Sequence, residues 1–166
     1  SRLFAPGLAG GALLDLGVYP VSYASFVLGA PTGVVARGTL TDTGVDRQVS
    51  AVLTYASSAQ ALVSTTLAAR TPTVAAISGS EARIELDGPF YTPRVVRLVT
   101  RDGEVHESAP PVIEGHLGLC HQAAHLAQLV ADGASESPLL PWAETIAVME
   151  TLDELRAQVG VRYPGE

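Results

Sequence analysis

Two residues in an otherwise apolar stretch could do acid–base chemistry. Between Gly10 and Leu28 the chain carries one carboxylate, Asp15, and Tyr19 follows four residues later. On a helix that spacing puts both side chains on one face, one turn apart. Leu13, Leu14, Leu16 and Val18 supply apolar surface around them. Burying a lone carboxylate is costly, so Asp15 needs a partner or a task. The plainer reading makes Asp15 a first-turn acid favoured by the helix dipole. Tyr19 is then a half-buried aromatic with its hydroxyl at the surface. The chemical reading makes Tyr19 a general acid or base, since a phenol donates a proton at neutral pH unless a cation lowers its pKa. Gly10 and Gly11, just ahead, would let backbone come close to a cofactor or substrate.

A second group of candidates lies near the C-terminal third. His121 and His125 are four residues apart, the spacing of a two-histidine metal site, and His116 precedes them. Gln122 stands where the glutamate of a His-Glu-x-x-His motif would be, and no third ligand is evident. No metal is expected, and these histidines belong on a polar face. Cys120 falls on the apolar stripe of the same segment, with nothing to activate it. No Gly-x-Ser-x-Gly elbow is present. No Gly-x-Gly-x-x-Gly follows a strand and no Walker-type loop occurs, so the chain has no dinucleotide-binding half of its own.

The elements that must position these residues follow from periodicity. A helix is predicted over 11–28, with Pro20 kinking or dividing it near Gly17. Gly29 and Pro31 end it. The pattern then changes to period two. Strands are predicted over 34–40, 47–55, 60–67, 73–78, 82–86, 94–100 and 104–107, with Asp102-Gly103 the strongest hairpin signal. Short turns between successive strands imply one open, mostly antiparallel sheet of five to seven strands. Val49, Ala51, Leu53, Ala61, Val63 and Leu67 line either its helix-covered face or its open one. Two helices close the chain. The first, over 116–132, carries Leu119, Ala123, Leu126 and Val130 at helical spacing. The second starts after Pro141 and ends at Gly160. The order helix, sheet, helix, helix is α+β, with the helices packed on one face of the sheet.

Composition bounds the rest. At 166 residues, 47% hydrophobic and 16% charged, the chain is a single folded domain by size. A net charge of −7 argues against a nucleic-acid or anionic-membrane surface. One cysteine permits no internal disulfide, which suits the cytoplasm. Pro20, Gly29 and Pro31 interrupt the apolar run, so no membrane span is expected, and no signal peptide is visible.

The Gly-Gly-x-x-x-Asp-x-Gly-x-Tyr run at Gly10–Tyr19 resembles the opening of the C-terminal domain in the glucose–fructose oxidoreductase / inositol dehydrogenase (Gfo/Idh/MocA) family. Within it the run is most similar to the dihydrodiol dehydrogenase-like branch, where Tyr stands at the catalytic position. The tail is similar too, through Glu136-Ser137-Pro138, Glu144 to Met149, Leu152 to Arg156 and Gly160 to Pro164. The resemblance implies a C-terminal substrate-binding and dimerisation domain of a longer NAD(P)-dependent oxidoreductase, with the Rossmann half absent from this chain. It implies hydride transfer between the nicotinamide and a sugar, polyol or dihydrodiol-type hydroxy compound. Tyr19 would protonate the carbonyl oxygen, beside a lysine of the Rossmann half. Asp15 would hold a substrate hydroxyl or orient the proton relay. His116 and His121 would contact substrate, and the fragment alone would bind no cofactor tightly. A homodimer through the uncovered sheet face is expected, on physical grounds as well as family ones, because monomers rarely expose large apolar patches. The rival reading is a non-catalytic sheet-based binding or dimerisation module.

Overall fold

The computed structural model describes all residues 1–166. It divides into two compact units where size alone suggests one. The first comprises 1–70 and 138–166, and the second 71–137. Seven strands form, as two antiparallel sheets rather than the single sheet expected.

The first unit holds β1 (Gly33–Leu40), β2 (Asp46–Thr54) and β3 (Gln60–Thr66), paired in sequence order. Alternation along β2 sends Val49, Ala51 and Leu53 to one face, where they are buried. Ala36 of β1 and Val63 of β3 lie on that face with them. Two helices cover it: α1 (Val18–Leu28) and α3 (Trp142–Val159). Leu13, Val21, Val148, Leu152 and Leu155 fill the space between helices and sheet. Val49, Ala51, Leu53, Ala61 and Val63 therefore line the helix-covered face. The open face presents Val35, Val52 and Leu62, which are directly opposite one another across the three strands. The edge of β1 is closed by a side chain: Gln158 of α3 accepts the Ala36 N–H at 2.8 Å and donates to the Val34 carbonyl at 3.0 Å. A primary amide thus stands in for a neighbouring strand, which protects an edge from foreign pairing.

The apolar segment 6–28 is long and apolar enough to cross a membrane, yet in this fold Ala12, Leu13, Val21 and Ala24 from it are buried in the core. Its helical part changes register where the proline demands. Leu13–Gly17 is a π turn, and the α-helix resumes at Val18. Pro20 has no N–H to offer the Leu16 carbonyl, and a wider turn ahead of it accommodates that loss. Gly29 (φ +80°) ends α1 with its N–H on Ser25 O at 2.7 Å. Gly160 ends α3 in the left-handed conformation, as a helix-terminating glycine should.

The second unit holds β4 (Ala75–Ser78), β5 (Ala82–Leu86), β6 (Val96–Thr100) and β7 (Val105–Glu107), again in sequence order. The hairpin at Asp102-Gly103 forms as predicted, with Gly103 at φ +92° and Thr100 N–H on Glu104 O at 2.9 Å. Arg97 of β6 holds Asp87 through two hydrogen bonds of 2.7 and 2.9 Å and Glu107 through one of 2.8 Å. Pairing with Arg97 draws the Asp87 carboxyl below its usual range. Residues 67–74, which include Pro72, connect β3 to β4. The helix expected over 116–132 is shorter: a 3₁₀ turn at Gly115–Gly118 precedes α2 (Leu119–Ala131). Its apolar stripe is present, but Leu119, Leu126 and Val130 are exposed rather than buried. Periodicity shows which face of a helix is apolar, not whether a partner covers it.

Candidate active site

The Asp15–Tyr19 segment is built from the backbone outward. Gly10, Gly11, Ala12 and Leu13 enter the π turn fully buried, and three side chains from distant parts of the chain hold them. Tyr163 donates its hydroxyl to Gly10 O at 2.6 Å. Thr65 of β3 donates to Ala12 O at 3.1 Å. Asp46 of β2 accepts the Leu13 N–H at 2.6 Å. Gly17 sits so close that an added Cβ would lie 2.9 Å from Leu13 Cδ1 and 3.3 Å from Thr65 Cγ2. The start of the helix is thereby seated on β2 and β3.

Asp46 was not among the residues singled out by sequence, and the reason is geometric. Strict alternation along β2 would put it with Gln48 and Ser50 on the open face. The register slips instead: Thr39 pairs with Gln48, but Leu40 pairs with Asp46. The extra residue, Arg47, makes a bulge in β2 that turns Asp46 inward, the re-aiming that bulges provide. Asp46 is 1% exposed, and its Oδ1 has no hydrogen-bond partner. Burial pushes its carboxyl pKa up, while the Leu13 amide and neighbouring backbone amides oppose the shift.

The sign of the consequence is definite. An acid whose folded pKa lies above its unfolded value binds more protons when folded. Its contribution to stability is therefore full at low pH and declines as pH rises from the unfolded value through the folded one. Asp46→Asn removes that decline. The melting temperature of Asp46→Asn relative to the parent should rise between about pH 4, near the unfolded Asp value, and neutrality. Calorimetric scans across that range measure it, and a difference that falls with pH would contradict the assignment.

The glycines expected to approach a cofactor approach the chain itself. An added Cβ at Gly10 would lie 2.7 Å from both Arg2 O and Leu3 O, and one at Gly11 (φ +119°) would strike the Asp46 carboxylate. This packing accounts for both glycines by contacts within the chain, and the Gly11 N–H is already spent on Leu3 O at 2.8 Å.

Asp15 and Tyr19 stand beyond this buried platform. Asp15 has a partner, Arg2, at 2.5 Å; its side chain keeps one fifth of its surface in water, and the arginine is largely exposed. Tyr19 is 42% exposed on the first turn of α1. A carboxylate and a phenol thus both reach solvent within four residues of one another, Asp15 in the π turn and Tyr19 in α1. His116 and His121 are exposed residues of the second unit, in the 3₁₀ turn and the first turn of α2. His125 is engaged with Ser137 Oγ at 2.9 Å.

The profile of the GFO/IDH/MocA C-terminal domain matches residues 1–85. This span contains Asp15, Tyr19 and Asp46 with the sheet that seats them.

The chain belongs to the GFO/IDH/MocA family.

Full-length relatives in the family agree. The trans-1,2-dihydrobenzene-1,2-diol dehydrogenase of Xenopus tropicalis is 33% identical over 162 residues, covering 95% of this chain and 49% of the relative. The D-xylose 1-dehydrogenase (NADP(+)) of Hypocrea jecorina is 35% identical, covering 98% of this chain and 47% of that enzyme. The chain thus spans about half the length of the curated relatives it matches. A solved 3-ketoreductase from Actinomadura kijaniata, in complex with NADP and TDP-benzene, shares the fold at a TM-score of 0.80 and 24% identity, over 96% of this chain and 49% of that one.

Proposed function

We propose that this GFO/IDH/MocA chain is the substrate-binding and dimerisation domain of an NAD(P)-dependent oxidoreductase. The enzyme transfers hydride between the nicotinamide and a sugar, polyol or dihydrodiol-type hydroxy compound. One observation carries the reading: Asp15 in the widened turn Leu13–Gly17 and Tyr19 in the first turn of α1 follow directly on a buried backbone held by Tyr163, Thr65 and Asp46, and both reach solvent. π turns inside helices recur at functional sites. The names of the relatives, a dihydrodiol dehydrogenase and a xylose dehydrogenase, support the substrate class. Tyr19 gives its proton to the carbonyl oxygen in reduction and takes the hydroxyl proton in oxidation. Asp15 orients the substrate hydroxyl, releasing Arg2 or sharing it. His116 and His121 are candidates for substrate contact on the family resemblance alone. The dinucleotide is assigned to a Rossmann half, in keeping with the match to the C-terminal domain and with relatives about twice this chain's length. The single cysteine suits a cytoplasmic enzyme, and neither nucleic acid nor membrane enters the proposal. A screen of the full-length protein with NAD and NADP against D-xylose, trans-dihydrodiols and polyols tests the reading. Reduced nicotinamide should appear with at least one class, and silence across all of them would sink the proposal.

The open face of the first sheet is the proposed dimer surface. Leu62 is 82% and Val35 60% exposed, and with Val52 they make an apolar row flanked by Arg37, Ser50 and Ser64. Two such faces pack about 10 Å apart in a two-fold pair. Leu62→Arg places a charge twice in that interface and should convert dimer to monomer. Sedimentation velocity at micromolar concentration reads the change, and a parent chain that is already monomeric would end the proposal.

A further inference from the structure

We infer that Asp46, assisted by Tyr163 and Thr65, is a positioning residue for the Asp15–Tyr19 pair. The inference rests on the proposed acid–base role of Tyr19. Its own basis is the set of tethers beneath the helix start.

The backbone from Gly10 to Leu13 is the only stretch that joins the 3₁₀ turns of the N-terminus to the turn bearing Asp15. Three of its polar groups are held by side chains remote in sequence, Gly10 O by Tyr163, Ala12 O by Thr65 and the Leu13 N–H by Asp46, while the Gly10 and Gly11 amides bond Ala5 O and Leu3 O. Asp46 is the most committed of the three. A bulge brings it to this face, it is 1% exposed, and its bond to Leu13 is 2.6 Å long. Burying a carboxylate with one oxygen unpartnered is unfavourable for folding, so stability alone does not explain an acid here. What the acid supplies is a fixed direction for the first helical amide, two residues before Asp15. An acceptor at that place also complements the helix N-terminus. Gly11 completes the arrangement: its missing side chain leaves room for the carboxylate. Tyr163 is held in turn by Arg156, which lies 5.1 Å above its ring and pairs with Glu166 at 2.6 Å. The last residues of the chain therefore hold the Gly10 carbonyl just ahead of the helix start.

Misplacing a catalytic group by about 1 Å can cost about 100-fold in rate. Asp46→Ala in the full-length enzyme should lower kcat about 10- to 100-fold on that scale, with KM changed less than about 3-fold. Asp46→Asn keeps an acceptor for Leu13 and should stay within about 3-fold of the parent. Amide hydrogen exchange, which needs no turnover, should speed up at residues 13–19 in Asp46→Ala while the β2 and β3 amides hold. If Asp46→Ala does not fold, Tyr163→Phe replaces it: losing one hydroxyl, it should speed exchange at residues 11–13 and lower kcat in the same direction. Parental exchange at those residues overturns the inference, and so does faster exchange with an unchanged kcat. Tyr19→Phe separates the two readings. If that variant turns over normally, the acid–base role fails, and the exchange data still decide whether Asp46 orders the segment.

Discussion

Tyr19→Phe in the full-length enzyme is expected to lower turnover by about 100-fold or more, the scale of general acid catalysis. The substitution removes one oxygen and keeps the ring. Tyr19 is 42% exposed on α1, so the ring's packing and the helix are undisturbed. The denaturation midpoint should match the parent, which separates a chemical loss from a folding one. KM should change far less than kcat, because the proton is given in the transition state and not in the ground-state complex. Asp15→Asn is the informative companion. It weakens the Arg2 pair and keeps hydrogen-bonding capacity, so a smaller loss divided between KM and kcat is expected of an orienting residue. Steady-state kinetics of both variants provide the measurement. A Tyr19→Phe enzyme with parental kcat would refute the catalytic assignment and leave the non-catalytic module as the better reading.

Leu155→Ala should be the most damaging core substitution. Leu155 of α3 is 0% exposed and borders a void of about 10 Å³ shared with Leu13, Val21, Val49, Ala51 and Val63. Truncation enlarges that void at the point where both helices meet the sheet. Large-to-alanine changes at such sites cost about 2–5 kcal/mol, a large part of the roughly 5–15 kcal/mol that holds a domain together. Urea denaturation of the isolated chain should show the midpoint falling sharply with an unchanged slope. A loss below about 1 kcal/mol would mean that the core collapses around the gap more readily than the packing suggests.

Much of the architecture was legible because it is local. Alternation in 47–55 and 60–67 located β2 and β3 to within a residue or two at each end. Asp102-Gly103, Gly29 and Gly160 marked their turn and helix ends through a conformation that side chains disfavour. The proline at position 20 announced a change of helical register, and the π turn ends at Gly17 as that requires.

The sequence by itself determined the strands, the turns and the helix ends, since each depends on residues within one or two turns of one another. Tertiary structure decided what covers what. The parity of β2 was plain, but only α1 and α3 show that Val49, Ala51 and Leu53 face inward and that Val35, Val52 and Leu62 face out. The stripe on α2 was plain too, yet it lies exposed. Seven strands were countable, but not their division into two sheets. Asp46 lay hidden in period-two alternation because one bulged residue reverses its face, and Tyr163 meets Gly10 across 153 positions of chain. Such contacts are set by packing between elements that the backbone pattern leaves independent, so no spacing in the sequence encodes them.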